Sequence, residues 1–211
     1  MKKRLIQWFG LTGLIALISY TAAVVFAPMA YPGYDWMAQA VSDLSAQGAP
    51  SRPLWEQLSA LHALGSVVCA SCVAIYVSEK KTATRLFRVG TYLFVAMNWV
   101  SGVGYRMFPL ADAGKEIASF QEVMHLVVTA LVVLLSILSL VLLIIAGCKE
   151  KKVRGIGLFA GIALAMMMVG SIGTGAAPAQ YFGIVERFSV FAAVGFLAVL
   201  GWQMFQGFPG M

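Results

Sequence analysis

Six stretches of this chain, 7–28, 54–77, 86–107, 121–147, 156–177 and 182–205, are long, apolar and nearly free of charge. Each reaches the roughly 20 residues that a helix needs to cross a hydrocarbon core of about 30 Å. Backbone groups find no water at that depth, so helices that close their own hydrogen bonds are the expected solution. Strands of a membrane barrel would be about half as long and would alternate in polarity. No segment alternates in that way. The expected fold class is therefore all-α: one polytopic membrane domain over residues 1–211 with six transmembrane helices. Composition supports it, because only 11% of the 211 residues are charged, against about a quarter in soluble domains. So apolar a chain must bury surface, which excludes disorder.

Charge placement predicts direction. Lys2, Lys3 and Arg4 precede the first span; Lys80, Lys81, Arg85 and Arg88 lie between the second and third; Lys149, Lys151, Lys152 and Arg154 lie between the fourth and fifth. These are 11 of the 15 basic residues. Short basic loops stay cytoplasmic, which predicts both termini inside a prokaryotic plasma membrane. The net charge of +6 then reflects topology and contact with anionic membrane lipids rather than a nucleic-acid surface. The N-terminal segment also has the look of a signal peptide, but its removal would strand this pattern, so a retained anchor is expected. Cys69, Cys72 and Cys148 fall toward the cytoplasmic ends, where disulfides are not expected and small buried side chains are.

The first outer connection, from about Ala30 to Arg52, is the longest in the chain. It opens with Tyr31-Pro32-Gly33-Tyr34-Asp35 and closes with Gly48-Ala49-Pro50-Ser51-Arg52-Pro53. Between these breakers a short interfacial helix is expected, capped by Asp35 and stopped by Gly48 and Pro50. Trp36, Met37, Ala40, Val41 and Leu44 would share one arc of it. Asp43 lies at the edge of that arc. It is either a solvated acid on an amphipathic helix or part of a lid over a pocket. In the second outer connection, containing Pro109, Asp112 and Gly114, Ser119 and Glu122 fit a capping box for the fourth span. The third, Ala177-Pro178-Ala179-Gln180, is short enough to make the last two spans antiparallel neighbours.

Polar residues within the spans gather at one depth. His62, with Ser59 and Ser66 one turn to either side, lies in the outer half of the second span. Asn98, Ser101, Gly102 and Tyr105 share a face of the third, and Arg106 ends it. His125 begins the fourth span, and Glu186 and Arg187 begin the sixth. Ionisable groups inside spans are costly and normally face a partner, a cavity or water. An outward pocket that binds a lipid or other amphiphile is expected from this clustering, with Arg106, Asn98, Tyr105 and Arg187 as binding groups. A second reading places Asp43, His62 and His125 around zinc, with metal-bound hydroxide attacking a lipid ester or amide and Glu186 passing a proton. Without metal, Ser59 or Ser66 would be the nucleophile and His62 its base. A third reading makes Arg106, Glu186 and Arg187 an ion-pair network closing the bundle. Small-solute transport and a structural role, alone or as a homo-oligomer, also stay open. In the fifth span, Gly157 with Gly161, and Gly170, Gly173 and Gly175, would permit close helix contact.

Tyr31-Pro32-Gly33-Tyr34-Asp35, Ser42-Asp43-Leu44-Ser45 and Gly48-Ala49-Pro50, with His62, Arg106, Phe108-Pro109 and His125 further along, resemble the bacterial and archaeal membrane family known as domain of unknown function 998. The resemblance covers nearly the entire chain and implies a six-helix integral membrane protein. Ser59, His62, Asp43 and His125 are also faintly similar to the intramembrane serine, aspartate and histidine residues of ceramidase-like hydrolases, which implies zinc. Six spans rather than seven, and the lack of a late H-x-x-x-H pair, depart from that pattern.

Overall fold

The computed structural model describes residues 3–80, 82–111 and 119–209. Lys2, Lys81, Asp112, Gly114, Lys115 and Glu116, which bear on the charge pattern and the second outer connection, lie outside the described residues. A helical turn α1 (Leu5–Trp8) precedes six long helices: α2 (Leu11–Phe26), α3 (Arg52–Glu79), α4 (Arg85–Met107), α5 (Phe120–Lys149), α6 (Arg154–Ala176) and α7 (Phe182–Gln206). Each sequence neighbour packs on the next, and α7 closes the ring by packing on α2 and α3. The segments Leu5–Ala30, Arg52–Glu79, Phe120–Lys149, Lys151–Ala176 and Ala179–Gln206 are long and apolar enough to cross a membrane. The remaining long helix, α4, is less apolar because it carries Arg85, Arg88 and Arg106 along its length, together with Thr91 and Asn98, which are buried inside the bundle. Its 23 residues still span about 1.5 Å each, enough for a hydrocarbon core.

The outward surfaces of these helices are apolar; Leu64 of α3, Leu134 of α5 and Leu158 of α6 are all exposed. This is the polarity expected where lipid replaces water as solvent. Inside, the main core joins Val73, Phe87, Phe94, Leu140, Leu143 and Phe196, with the Phe94 and Phe196 rings edge to face at 5.1 Å. Small residues set the tightest crossing. A Cβ on Gly147 would sit 2.7 Å from the Gly157 Cα, so α5 and α6 touch backbone to backbone there. Gly170 and Gly173 lie against Ser189 and Val185 of α7 in the same manner. Gly161 and Gly175 face open space, so the expected Gly157–Gly161 pair contributes only its first member.

The two ends of the bundle differ. At the basic end, Arg4 pairs with Glu79 at 2.8 Å and Thr84 bonds Glu150. Gly207 ends α7 in the left-handed conformation (φ 84°) that only glycine adopts cheaply. The chain then tucks Phe208 between Tyr76 and Phe87. At the opposite end, termed the loop end, residues 31–51 fold back over the bundle as a strap.

The strap departs from its expected helix. Pro32 and Gly33 (φ 78°) turn the chain, with the Tyr34 N–H bonded to Tyr31 O at 3.1 Å; this is the residue pair a type II turn requires. Asp35 does cap the next turn, accepting the Met37 N–H at 2.9 Å, and Gln39 N–H closes that turn on Asp35 O. The helix then stops, because the next backbone groups find partners elsewhere. Ala40 N–H goes to the Asp43 carboxylate (3.1 Å), Val41 N–H to Glu186 (3.2 Å), and Met37 O accepts from Ile184 N–H (3.2 Å). Only a 3-10 turn, Ser42–Ser45, remains helical. Tertiary bonds to the start of α7 and one local carboxylate outcompete the ladder.

Candidate functional site

The strap is anchored by apolar burial as well as by hydrogen bonds. Val41 is 2% and Leu44 0% exposed, and Val41 joins Tyr20 and Val194 in a second small core at the loop end. Burying two such side chains stabilises the docked strap by about 3–6 kcal/mol before ordering costs. Ser51, fully buried, donates to Leu44 O at 2.9 Å and closes the strap's second half. Gln47 N–H donates to Leu110 O at 2.9 Å, tying it to the connection after α4.

Arg187 fastens the first half. Its Nη1 donates to Gly183 O (2.6 Å) and Gln39 O (3.1 Å), its Nη2 to the Tyr34 hydroxyl (2.8 Å), and Tyr34 donates to Ala40 O (2.8 Å). The guanidinium also lies over the Trp36 ring at 6.0 Å, the outer limit for a cation–π contact. Gly183 permits this seat: a Cβ there would meet Gln39 O at 2.2 Å and Trp36 O at 2.6 Å. Glu186 and Asp43 flank the cluster with their carboxylates turned to strap N–H groups. Among the described residues the only ion pairs are Arg4–Glu79 and Arg52–Glu56. The expected Arg106–Glu186–Arg187 ion-pair network is thus replaced by bonds from Glu186 and Arg187 to the strap backbone and Tyr34. Burial raises the Asp43 carboxyl above its ordinary range, an effect partly offset by the Ala40 N–H and by Arg187.

Beside Arg187 a groove of about 270 Å³ runs along the end of α2, lined by Val24, Val25, Pro28, Trp36 and Arg187. Its lining is apolar apart from Arg187, the one charged residue among those that form it. Val25 is 57% and Trp36 55% exposed, so the groove opens sideways onto the lipid-facing surface.

The histidines occupy two other places. His62 packs against Tyr20 at 4.7 Å between ring centroids, and Tyr20 in turn meets Trp55 and Phe191 edge to face, both at 5.7 Å. The His62 Nδ1 lies 3.2 Å from Ser66 Oγ, whose own proton goes to His62 O at 2.7 Å. Of the two contacts of the Ser66 hydroxyl, the one to its own helix's carbonyl is the shorter and the one to the ring nitrogen the longer. Ser59 is not the ring's partner. Ser19 of α2 bonds both Leu58 O and His62 N–H (3.1 Å), bridging one rung of the α3 ladder. His125 meets the Tyr105 ring at 5.1 Å and the Phe108 carbonyl oxygen at 2.9 Å, while Tyr105 donates to Thr129 at 3.2 Å. These bonds lock α4 to α5.

The structure therefore brings Asp43, Glu186 and Arg187 together, keeps His62 with Ser66 and Tyr20, and keeps His125 with Tyr105. Asn98 folds back on its own helix, donating to Phe94 O at 2.8 Å, and Arg106 is exposed near His62. Asp43, His62 and His125 do not form a metal site. Among the described residues no three His, Cys, Asp or Glu side chains are placed to hold an ion, and these three already face internal partners. The donor set does not fit zinc. Sequence reasoning missed Tyr34, Trp36 and Gly183. Their signals were the Tyr31–Asp35 turn cluster and a glycine one helical turn before Arg187.

Fold and site together define a multi-pass helical membrane protein whose loop end is closed by a strap docked on its last helix. The chain belongs to the family described as protein of unknown function (DUF998), whose model matches residues 14–203. No curated protein matches the chain, and no solved structure does.

Proposed function

We propose that this protein binds a lipid or other amphiphile in the groove between α2, Trp36 and Arg187. The observation that carries the reading is a lipid-open apolar trough with an arginine, rather than a carboxylate pair, set into its wall. Such a pairing suits a molecule with one apolar and one polar part. The volume of about 270 Å³ falls just under the usual range of about 300–1,000 Å³ for small-molecule pockets. It accommodates a headgroup region with the first part of a chain rather than a whole lipid. The same reading puts the loop end outside a prokaryotic plasma membrane and both termini in the cytoplasm. The basic residues of the α3–α4 and α5–α6 connections support that direction. The test is Val25→Trp, which fills the trough at an exposed position and leaves the strap's hydrogen bonds alone. Native mass spectrometry of protein released from detergent should show a lipid adduct in the unmodified chain and its loss in V25W. Equal adducts in both would contradict the proposal.

A further inference from the structure

Resting on the amphiphile reading of the groove, we infer that its ligand is a bilayer phospholipid whose phosphodiester is gripped by the outer edge of Arg187. A guanidinium has five N–H donors. Three are used inside the protein: both Nη1 donors go to Gln39 O and Gly183 O, and one Nη2 donor goes to Tyr34. The Nε–H and the second Nη2–H remain. Two parallel donors of this kind match two oxygens of one oxyanion, and such bidentate contacts are the strong, geometrically selective ones. The three internal bonds fix the guanidinium plane before any ligand arrives, so little freedom is lost on binding.

Charge around the edge narrows the choice. Arg187 has no carboxylate within 4.0 Å among the described residues, so its positive charge is available. Glu186 and Asp43 lie further off within electrostatic reach. They oppose a second negative charge, which favours a singly charged phosphodiester over a phosphomonoester carrying about −1.5 to −2. The groove lies at the last turn of α2 beside a half-exposed tryptophan, which is headgroup depth for a membrane helix. Phosphodiesters are the densest oxyanions at that depth. Val24, Val25 and Pro28 would then receive the glycerol and the first methylenes, and the rest of each chain stays in the bilayer.

Native mass spectrometry in detergent with phosphatidylglycerol and with diacylglycerol of identical chains reads the headgroup contribution directly. Phosphatidylglycerol should bind at least about tenfold tighter, the scale of one charge-assisted hydrogen bond. R187Q should erase that difference. Because R187Q also loosens the strap, R187K is the second variant: it keeps the charge but lacks the two-donor edge, and the preference should fall by severalfold. Neither millimolar inorganic phosphate nor a fatty acid of the same chain should displace phosphatidylglycerol. Equal binding of the two lipids by the unmodified protein, or an undiminished preference in R187K, overturns the headgroup claim. So does displacement by inorganic phosphate or fatty acid. If V25W leaves both lipids bound as before, the groove reading itself has failed, and the two failures are told apart.

Discussion

At the scale of single residues, the loop end is organised by side chains that satisfy backbone groups of another segment. Arg187 and Glu186 face the strap because its carbonyl and amide groups need partners once water is excluded. Asp43 gives this arrangement a pH dependence with a definite sign. Its carboxyl is raised by burial against the opposing pull of the Ala40 N–H and Arg187, with Tyr34 and Glu186 as the other titratable neighbours. A docked strap therefore holds the Asp43 proton more tightly than a lifted one. Docking is strongest below the ordinary carboxylate range and weakens as pH rises through the raised value. Limited proteolysis of the strap across the acid range should show it opening with increasing pH, and Asp43→Asn should reduce that dependence, with the part carried by Glu186, which bonds Val41 N–H, left in place. A strap that opens on acidification in the unmodified chain would contradict the assignment.

At the scale of elements, the boundaries of the long helices were legible because each is governed by local rules. The expected span 121–147 became Phe120–Lys149 with its Ser119–Glu122 capping box in place, Glu122 N–H at 3.2 Å from Ser119 Oγ. The strap was misread because its pattern obeys helical spacing while its backbone obeys α7. Apolar periodicity marked Ala40, Val41 and Leu44, which are buried, but it could not reveal that Ile184, Glu186 and Arg187 would claim the strap's hydrogen bonds. The same limit applies to the histidines. Their depth in the spans was readable, whereas helix rotation decided that His62 meets Tyr20 and His125 meets Tyr105. Gly183 makes the element-scale account testable. Alanine strengthens a helix by about 1 kcal/mol relative to glycine, yet its Cβ would fall 2.2 Å from Gln39 O. Gly183→Ala should leave the helical content by circular dichroism unchanged while cleavage within residues 35–47 speeds up. Unchanged cleavage would show that the strap does not sit against α7.

At the scale of the whole molecule, six helices close into a ring with a tightly packed basic end and a strapped end that carries the groove. The positions of Lys80, Arg85, Arg88, Lys149, Lys151, Lys152 and Arg154 at one end of the bundle predict that this end is cytoplasmic. Exposed Cys148 serves as a native reporter. A membrane-impermeant maleimide should leave it unlabelled in intact cells and label it after permeabilisation, while a cysteine placed at the exposed Gln47 should react from outside. The opposite pattern would invert the molecule and remove the groove from the outer leaflet.

Everything proposed for the loop end depends on the strap being seated on the start of α7, and one amide reports that seating directly. Ile184 lies in the first turn of its helix, where an N–H has no intrahelical acceptor, and its partner is Met37 O at 3.2 Å. Residue-resolved hydrogen exchange should find Ile184 and Val41 protected in the unmodified protein, and both should lose protection in R187Q. Free exchange at Ile184 in the unmodified protein would mean that the strap is not docked and that Trp36 and Arg187 do not form a common wall.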